Sequence, residues 1–320
     1  MIEILRDNRR TEAIRLDRLA PPPDEAGYAE LCVTTNFTFL TGASHPEELV
    51  TRAAELGLAA IAIADRNTLA GVVRAWSALK TLREETAAAI RIRSQHRTDT
   101  CSRLETGSPE DIAPPAALHL PKLIVGCRLV LRDSPVHWLA LPQDRAAYHR
   151  LSRLLTLGKR RAGKGECHLD LADLLEGCTS MILIALPPAR PAEAAPDIRR
   201  MQRRFPGQVF VGAAPRYDGS DQAWLAACAA LAVRTSAPMV ALGDVLMHRA
   251  GRRQLADVLT CMREGITIDA IGTRALPNAE RRLKGHADMA RLFRNHPGAL
   301  RRTLEIAARC GFDLSELSYE

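Results

Sequence analysis

The chain has 320 residues, 47% of them hydrophobic and 25% charged, and its 44 basic against 37 acidic side chains leave a net charge of +7. This is the composition of a globular protein with a sizeable core. No apolar run approaches the ~18 residues of a membrane span, and the opening Met1–Arg10 lacks the apolar stretch of a signal peptide. The eight cysteines form no C-x-x-C pair, so the spacing fits neither a zinc knuckle nor a disulfide scaffold. The expectation is a cytoplasmic protein with reduced thiols and no membrane partner. The basic surplus suits a polyanion such as nucleic acid, and it suits a solvated surface equally well.

Residues 1–27 are polar, end in a run of three prolines, and read as a tail or linker. From Tyr28 onward, short apolar runs alternate with helical stretches. Leu31-Cys32-Val33 is the first strand candidate. A helix opens at His45-Pro46, with Ser44 as N-cap, Glu47 as its capping-box partner and Gly57 near its end. The continuous apolar run 59–64 suits a strand buried on both faces, and it stops at Asp65. A second helix is expected over about 69–85. Residues 94–118, rich in Ser, Thr, Pro and charge, read as a surface insertion.

Further strands are expected at 123–126, 137–141, 181–185, 209–211 and 239–242, with a helix through 148–157. Strands alternating with helices imply a parallel α/β sheet or barrel. After Arg249 the strand signals stop. Segments 252–264, 287–295 and 297–310 read as helices of a separate, mildly basic region that spans 249–320, with 13 basic and 9 acidic residues.

In a parallel β/α barrel, reactive groups collect beyond the C-terminal ends of the strands. Thr34, Asp65, Arg66, Cys127, Arg128 and Asp244 hold such positions, and His137 begins its own strand. Asp65 and Asp244 could ligate a divalent metal or cap the next helix. His137 could be a third ligand or a hydrogen-bonded, half-buried histidine. The run Arg150, Arg153, Lys159, Arg160, Arg161 and Lys164 carries six positive charges with no acid before Glu166. It could contact DNA phosphates, chiefly through Lys159, Arg160, Arg161 and Lys164. It could also be a solvated face or a contact to other domains.

Several stretches, in order from residue 28 to the end, resemble the PHP (polymerase and histidinol phosphatase) region of bacterial error-prone C-family DNA polymerases. Tyr28–Ser44 resembles the opening PHP motif, Ala60–Arg74 the second, and Leu123–Arg128 the third. Thr156–His168 resembles a stretch of the error-prone subgroup. Pro277–Lys284 and Thr303–Cys310 resemble the helical segment that leads to the polymerase palm.

The resemblance implies a distorted seven-fold β/α barrel over 28–248 and a helical segment over 249–320. In active members, clustered His, Asp and Glu ligands hold two or three metals for phosphoester hydrolysis. This sequence departs from that pattern. Cys32, Thr34, Thr41, Arg66, Arg128, Tyr217 and Leu246 fall where ligands are expected, and only Asp65, His137 and Asp244 match. A guanidinium cannot ligate a metal, so Arg66 and Arg128 either pair with Asp65 and Asp244 as an ionic replacement for the cluster or line an anion pocket.

The function implied is a structural and docking part of an error-prone polymerase acting in translesion synthesis and repair. Its partners would be the palm and fingers, DNA and other damage-tolerance proteins, with Mg2+ belonging to the palm and no cofactor expected here. The alternative is a metal-dependent phosphoesterase or 3′–5′ exonuclease that uses the residual ligands.

Overall fold

A computed structural model describes residues 27–101 and 120–317. The tail at 1–27 and the insertion beyond residue 101 lie almost wholly outside the described residues. Seven strands form one sheet in sequence order: β1 (Ala29–Val33), β2 (Ala60–Arg66), β3 (Lys122–Leu129), β4 (His137–Pro142), β5 (Met181–Leu186), β6 (Val209–Ala213) and β7 (Met239–Ala241). All seven lie where the apolar runs predict them.

The sheet is not wholly parallel. β4 runs antiparallel to both β3 and β5, and the remaining pairs are parallel. The connection at 130–136 is too short for the crossover that a parallel neighbour needs, so the chain turns back on itself. This reversal carries His137, at the start of β4, to the edge where the other strands end.

Helices α1 (Pro46–Glu55), α2 (Ala70–Cys101), α3 (Arg145–Arg160), α4 (Leu171–Gly177), α5 (Ala195–Arg204) and α6 (Asp221–Thr235) link the strands. They bury apolar stripes such as Leu49, Val50 and Ala53 of α1 against the outer face of the sheet. The cap of α1 is His45, whose backbone N–H donates to Glu48 Oε2 at 2.9 Å, one residue on from the expected Ser44–Glu47 pair. Gly57 follows with φ of +65°, the left-handed C′ position that glycine fills without strain. α2 does not stop near Glu85 but runs on to Cys101, into the stretch read as an insertion.

From β2 onward the strands alternate. Ile61 and Ile63 pack outward, whereas Ala60, Ala62 and Ala64 face a lumen shared with Leu31, Ile124, Leu139, Leu141, Ile182, Ile184, Phe210, Val240 and Leu242. The sheet curls until the chain beyond β7 meets β1. Thr34 N–H donates to the Val245 carbonyl and Val245 N–H to the Cys32 carbonyl, both at 2.9 Å. This closes the barrel at the edge where most strands end.

The opposite end is closed differently. After α7 (Arg253–Glu264) and α8 (His286–Leu292), helix α9 (Pro297–Arg309) lies against β1 and β7. Ile306, Ala307 and Cys310 enter the lumen core. Thr303 Oγ1 accepts from Ala29 N–H at 3.3 Å, and Lys122 Nζ donates to the Ala307 carbonyl at 2.8 Å. The region expected to be separate therefore packs on the barrel, with α9 supplying its floor. Its three main helices lie within two residues of their predicted ends, apart from α8, which stops three residues short.

Candidate functional site

The mouth of the barrel is a layer to which each strand, or the turn that follows it, contributes one residue: Cys32, Arg66, Arg128, His137, Leu186, Ala214 and Asp244. Strand alternation puts them there, since they continue the lumen-facing series one step beyond its apolar part. Cys32 joins the layer because a register shift between Glu30 and Val33 breaks the alternation of β1.

Asp244 is the hub. One carboxylate oxygen is held by Arg128 Nη2 and the other by Arg281 Nη2, and Arg281 Nε also donates to the Asp244 carbonyl at 3.0 Å. The Cys32 thiol completes the cluster, accepting from Arg128 Nη2 at 2.9 Å and lying 3.5 Å from Asp244 Oδ1. Burial alone would push the Asp244 carboxyl up, but the Arg128 and Arg281 guanidiniums overcome this and hold it well below the usual carboxylate range. Burial likewise works against the Arg128 charge, which Asp244 more than restores. Burial pushes the Cys32 thiol up to about 12 despite the adjacent guanidinium, so it stays protonated at neutral pH. His137 is half-buried, and burial together with the charges of Arg128 and Arg66 depresses its pKa, so it is neutral.

The expected ionic network forms with different members. Arg128 and Asp244 pair, but Arg281 takes the second place and Arg66 points to solvent, with no ion pair among the described residues. Asp65 is not in the mouth at all. It falls on the outward-facing phase of β2 and accepts hydrogen bonds from Thr35 N–H and Thr35 Oγ1 at 2.8 Å and from Thr38 Oγ1 at 2.7 Å. It fastens the loop after β1. Burial raises its pKa, opposed by those hydrogen bonds. Asp65, His137 and Asp244 are therefore not brought together as a ligand set.

Of the remaining positions where ligands are expected, none has a side-chain hydrogen bond or ion pair to Asp244 among the described residues. Thr34 is buried and pairs with Val245 through its backbone, and Leu246 is buried. Thr41 sits in the loop after β1, its hydroxyl 3.4 Å from the Phe39 carbonyl. Tyr217 takes a left-handed backbone with φ of +58° and lies buried under Lys284 Nζ, 4.4 Å from its ring centre. In the basic run, Arg161 pairs with Asp173 at 2.7 Å and Arg150 Nε donates to the Thr179 carbonyl. Lys159, Arg160 and Lys164 are exposed at the end of α3, on the mouth side.

Two residues escape the sequence reading. Arg281 lies 37 residues beyond its partner Asp244, and nothing in the spacing links them. Glu30 is fully buried below the mouth, accepting from Tyr28 Oη at 2.7 Å, Cys32 N–H at 2.9 Å and Gly243 N–H at 2.9 Å. Burial pushes its pKa up to about 7 against those hydrogen bonds. A charged residue directly before the apolar run Leu31–Val33 is the signal that could have marked it.

The donors do not fit a divalent cation. Both Asp244 oxygens are engaged by guanidinium groups, the Cys32 thiol is protonated, and a metal would need thiolate and free carboxylate. Among the described residues no group of three or more His, Cys, Asp or Glu is placed to hold a metal ion.

Fold and mouth together define a distorted seven-strand β/α barrel whose strand-end site is built from guanidinium–carboxylate pairs. Residues 30–195 match the family model of the PHP domain, and the chain belongs to that family. It is 80% identical over 293 residues to an error-prone DNA polymerase of Ruegeria pomeroyi, covering 92% of this chain and 27% of that protein. It is 45% identical over 294 residues to one of Rhodopseudomonas palustris strain BisB5, covering 91% and 24%. It is 40% identical over 291 residues to one of Caulobacter vibrioides, again covering 91% and 24%. The chain thus spans about a quarter of the length of the curated relatives it matches.

Proposed function

We propose that this chain is the PHP part of an error-prone DNA polymerase, serving as a scaffold and docking module and not as a hydrolase. The observation that carries the reading is the capture of Asp244 by both Arg128 and Arg281. Metal-dependent phosphoester hydrolysis needs clustered cations to activate water and hold the leaving oxygen. The ionic cluster at the barrel mouth balances its own charge and engages both Asp244 oxygens, which supports this reading. The similarity to error-prone polymerases over nine-tenths of the chain supports the parent identity.

In this reading the parent extends DNA past lesions in translesion synthesis and repair in the cytoplasm. Mg2+ serves its palm, and the palm, fingers and other damage-tolerance proteins are the partners. Among the described residues no helix is long and apolar enough to cross a membrane.

The test is digestion of a 3′-labelled primer–template by the purified chain with Mn2+. No digestion above a D244N control is expected. Digestion abolished by D244N and by H137N would establish the metal-dependent 3′–5′ exonuclease or phosphoesterase instead.

We also propose that Lys159, Arg160 and Lys164 contact DNA phosphates from the mouth side, with Arg161 held to Asp173 beside them. Their exposure without ion pairs among the described residues supports this. The triple variant K159Q/R160Q/K164Q should flatten the salt dependence of DNA binding by about 2–3 in log–log slope. An unchanged slope makes this a solvated face.

A further inference from the structure

Helix α5 buries Ala195, Ile198 and Met201 against the barrel, and its opposite side is a stripe of four arginines: Arg199, Arg200, Arg203 and Arg204. Spacings of one and four residues put them in two adjacent rows on one exposed face. Arg234, in the last turn of α6, extends the stripe, since Arg199 Nη2 donates to its carbonyl at 3.3 Å. Among the described residues, none of the five is ion-paired.

The acids nearby are already engaged or sit at the margin. Asp197 accepts from Ser134 on the barrel side, Glu193 pairs with Arg190 at 3.5 Å, and Glu176 lies at the end of α4. Attraction to helix C-termini accounts for Arg203, Arg204 and Arg234, which occupy last turns. It does not account for Arg199 and Arg200. The like-charged pairs 199/203 and 200/204 oppose the helix they sit on.

The guanidiniums are also pre-positioned. Arg204 Nε donates to the Leu175 carbonyl at 3.1 Å and Arg203 Nε to the Arg199 carbonyl at 3.3 Å, and among the described residues their outer N–H groups make no ion pair.

We propose that this stripe is a docking surface for the phosphate backbone of double-stranded nucleic acid, separate from the basic tip of α3. The aromatic neighbour of the stripe, Phe205, is buried beneath Arg204, whose guanidinium lies 5.1 Å from the ring centre. Without an exposed ring, unpaired bases have nothing to stack on, which favours duplex over single strands. A protein partner calls for an aromatic or large apolar anchor at the centre of the patch. Here the exposed apolar residue is Val233, at the margin. Four guanidiniums within two turns match the dense, regular charge of duplex DNA.

The test is fluorescence anisotropy of the 320-residue chain with a labelled 20-base-pair duplex across a salt series. The variant R199Q/R200Q/R203Q/R204Q should flatten the log–log salt slope by about 3–4, at roughly 0.9 per lost phosphate contact, and the four lysine replacements should restore it. Should the quadruple variant lose its circular dichroism signature, R200Q/R203Q leaves the carbonyl contacts between helices intact and should flatten the slope by about 2. The inference fails if the folded variants keep the wild-type slope or if the wild-type chain shows no duplex binding. It also fails if a polyglutamate peptide displaces the duplex at equal concentration, which would assign the stripe to an acidic protein. The primer digestion and α3-tip experiments read other residues, so either can fail while this one succeeds.

Discussion

The two ends of one barrel are closed by opposite chemistry. The floor is apolar: α9 inserts Ile306, Ala307 and Cys310 under the lumen and hydrogen-bonds to the starts of strands. The mouth is ionic: Asp244 bridges Arg128 and Arg281 beside a buried thiol. The floor is stabilised by area removed from water and is indifferent to pH, whereas the mouth depends on a charge balance in which each member compensates the others. One barrel can thus be closed by apolar area at one end and by mutually neutralising charges at the other.

Breaking the mouth should cost the most stability. Asp244→Ala leaves two guanidiniums facing each other in a partly buried site and should lower unfolding stability by about 3–5 kcal/mol, measured by urea denaturation at pH 7. Because the folded pKa of Asp244 is depressed, its contribution is present above the unfolded value near 4 and is lost as pH falls through the folded one. The gap between wild type and variant should therefore shrink in acid. The floor gives the contrast: Ile306→Ala should cost about 2–4 kcal/mol as a cavity, with no dependence on pH.

A smaller effect lies just beneath the mouth. Glu30 is buried with a pKa raised to about 7, so its contribution is full below the unfolded value and declines as pH rises through 7. Glu30→Gln keeps the shape and can still hydrogen-bond Tyr28 and Gly243. It should match wild type near pH 4 and exceed it by about 3 kcal/mol at pH 8, which thermal melts across that range would show.

Much of this architecture is legible in the sequence, because buried strands announce themselves as apolar runs. The runs at 59–64, 123–126 and 181–185 coincide with β2, β3 and β5. What the sequence hides is direction and phase. The seven-residue step from β3 to β4 reverses a strand that composition alone leaves parallel. One-residue alternation sends Asp65 outward and Arg66 to the mouth, so two adjacent residues with similar promise have different fates. Arg281 is invisible because a partner supplied from across the fold leaves no local pattern. The arginines on α5 are plain in the sequence, but their gathering on one face beside Arg234 is a property of packing.

The ion-pair cluster of Asp244, Arg128 and Arg281 leaves the mouth without donors for a divalent cation. Isothermal calorimetry of the EDTA-treated chain with Mn2+ and Zn2+, beside a D244N control, tests it most directly. The wild type should give no stoichiometric heat that the control lacks. Tight one-to-one binding abolished by D244N would show that the mouth still holds a metal and would overturn this reading.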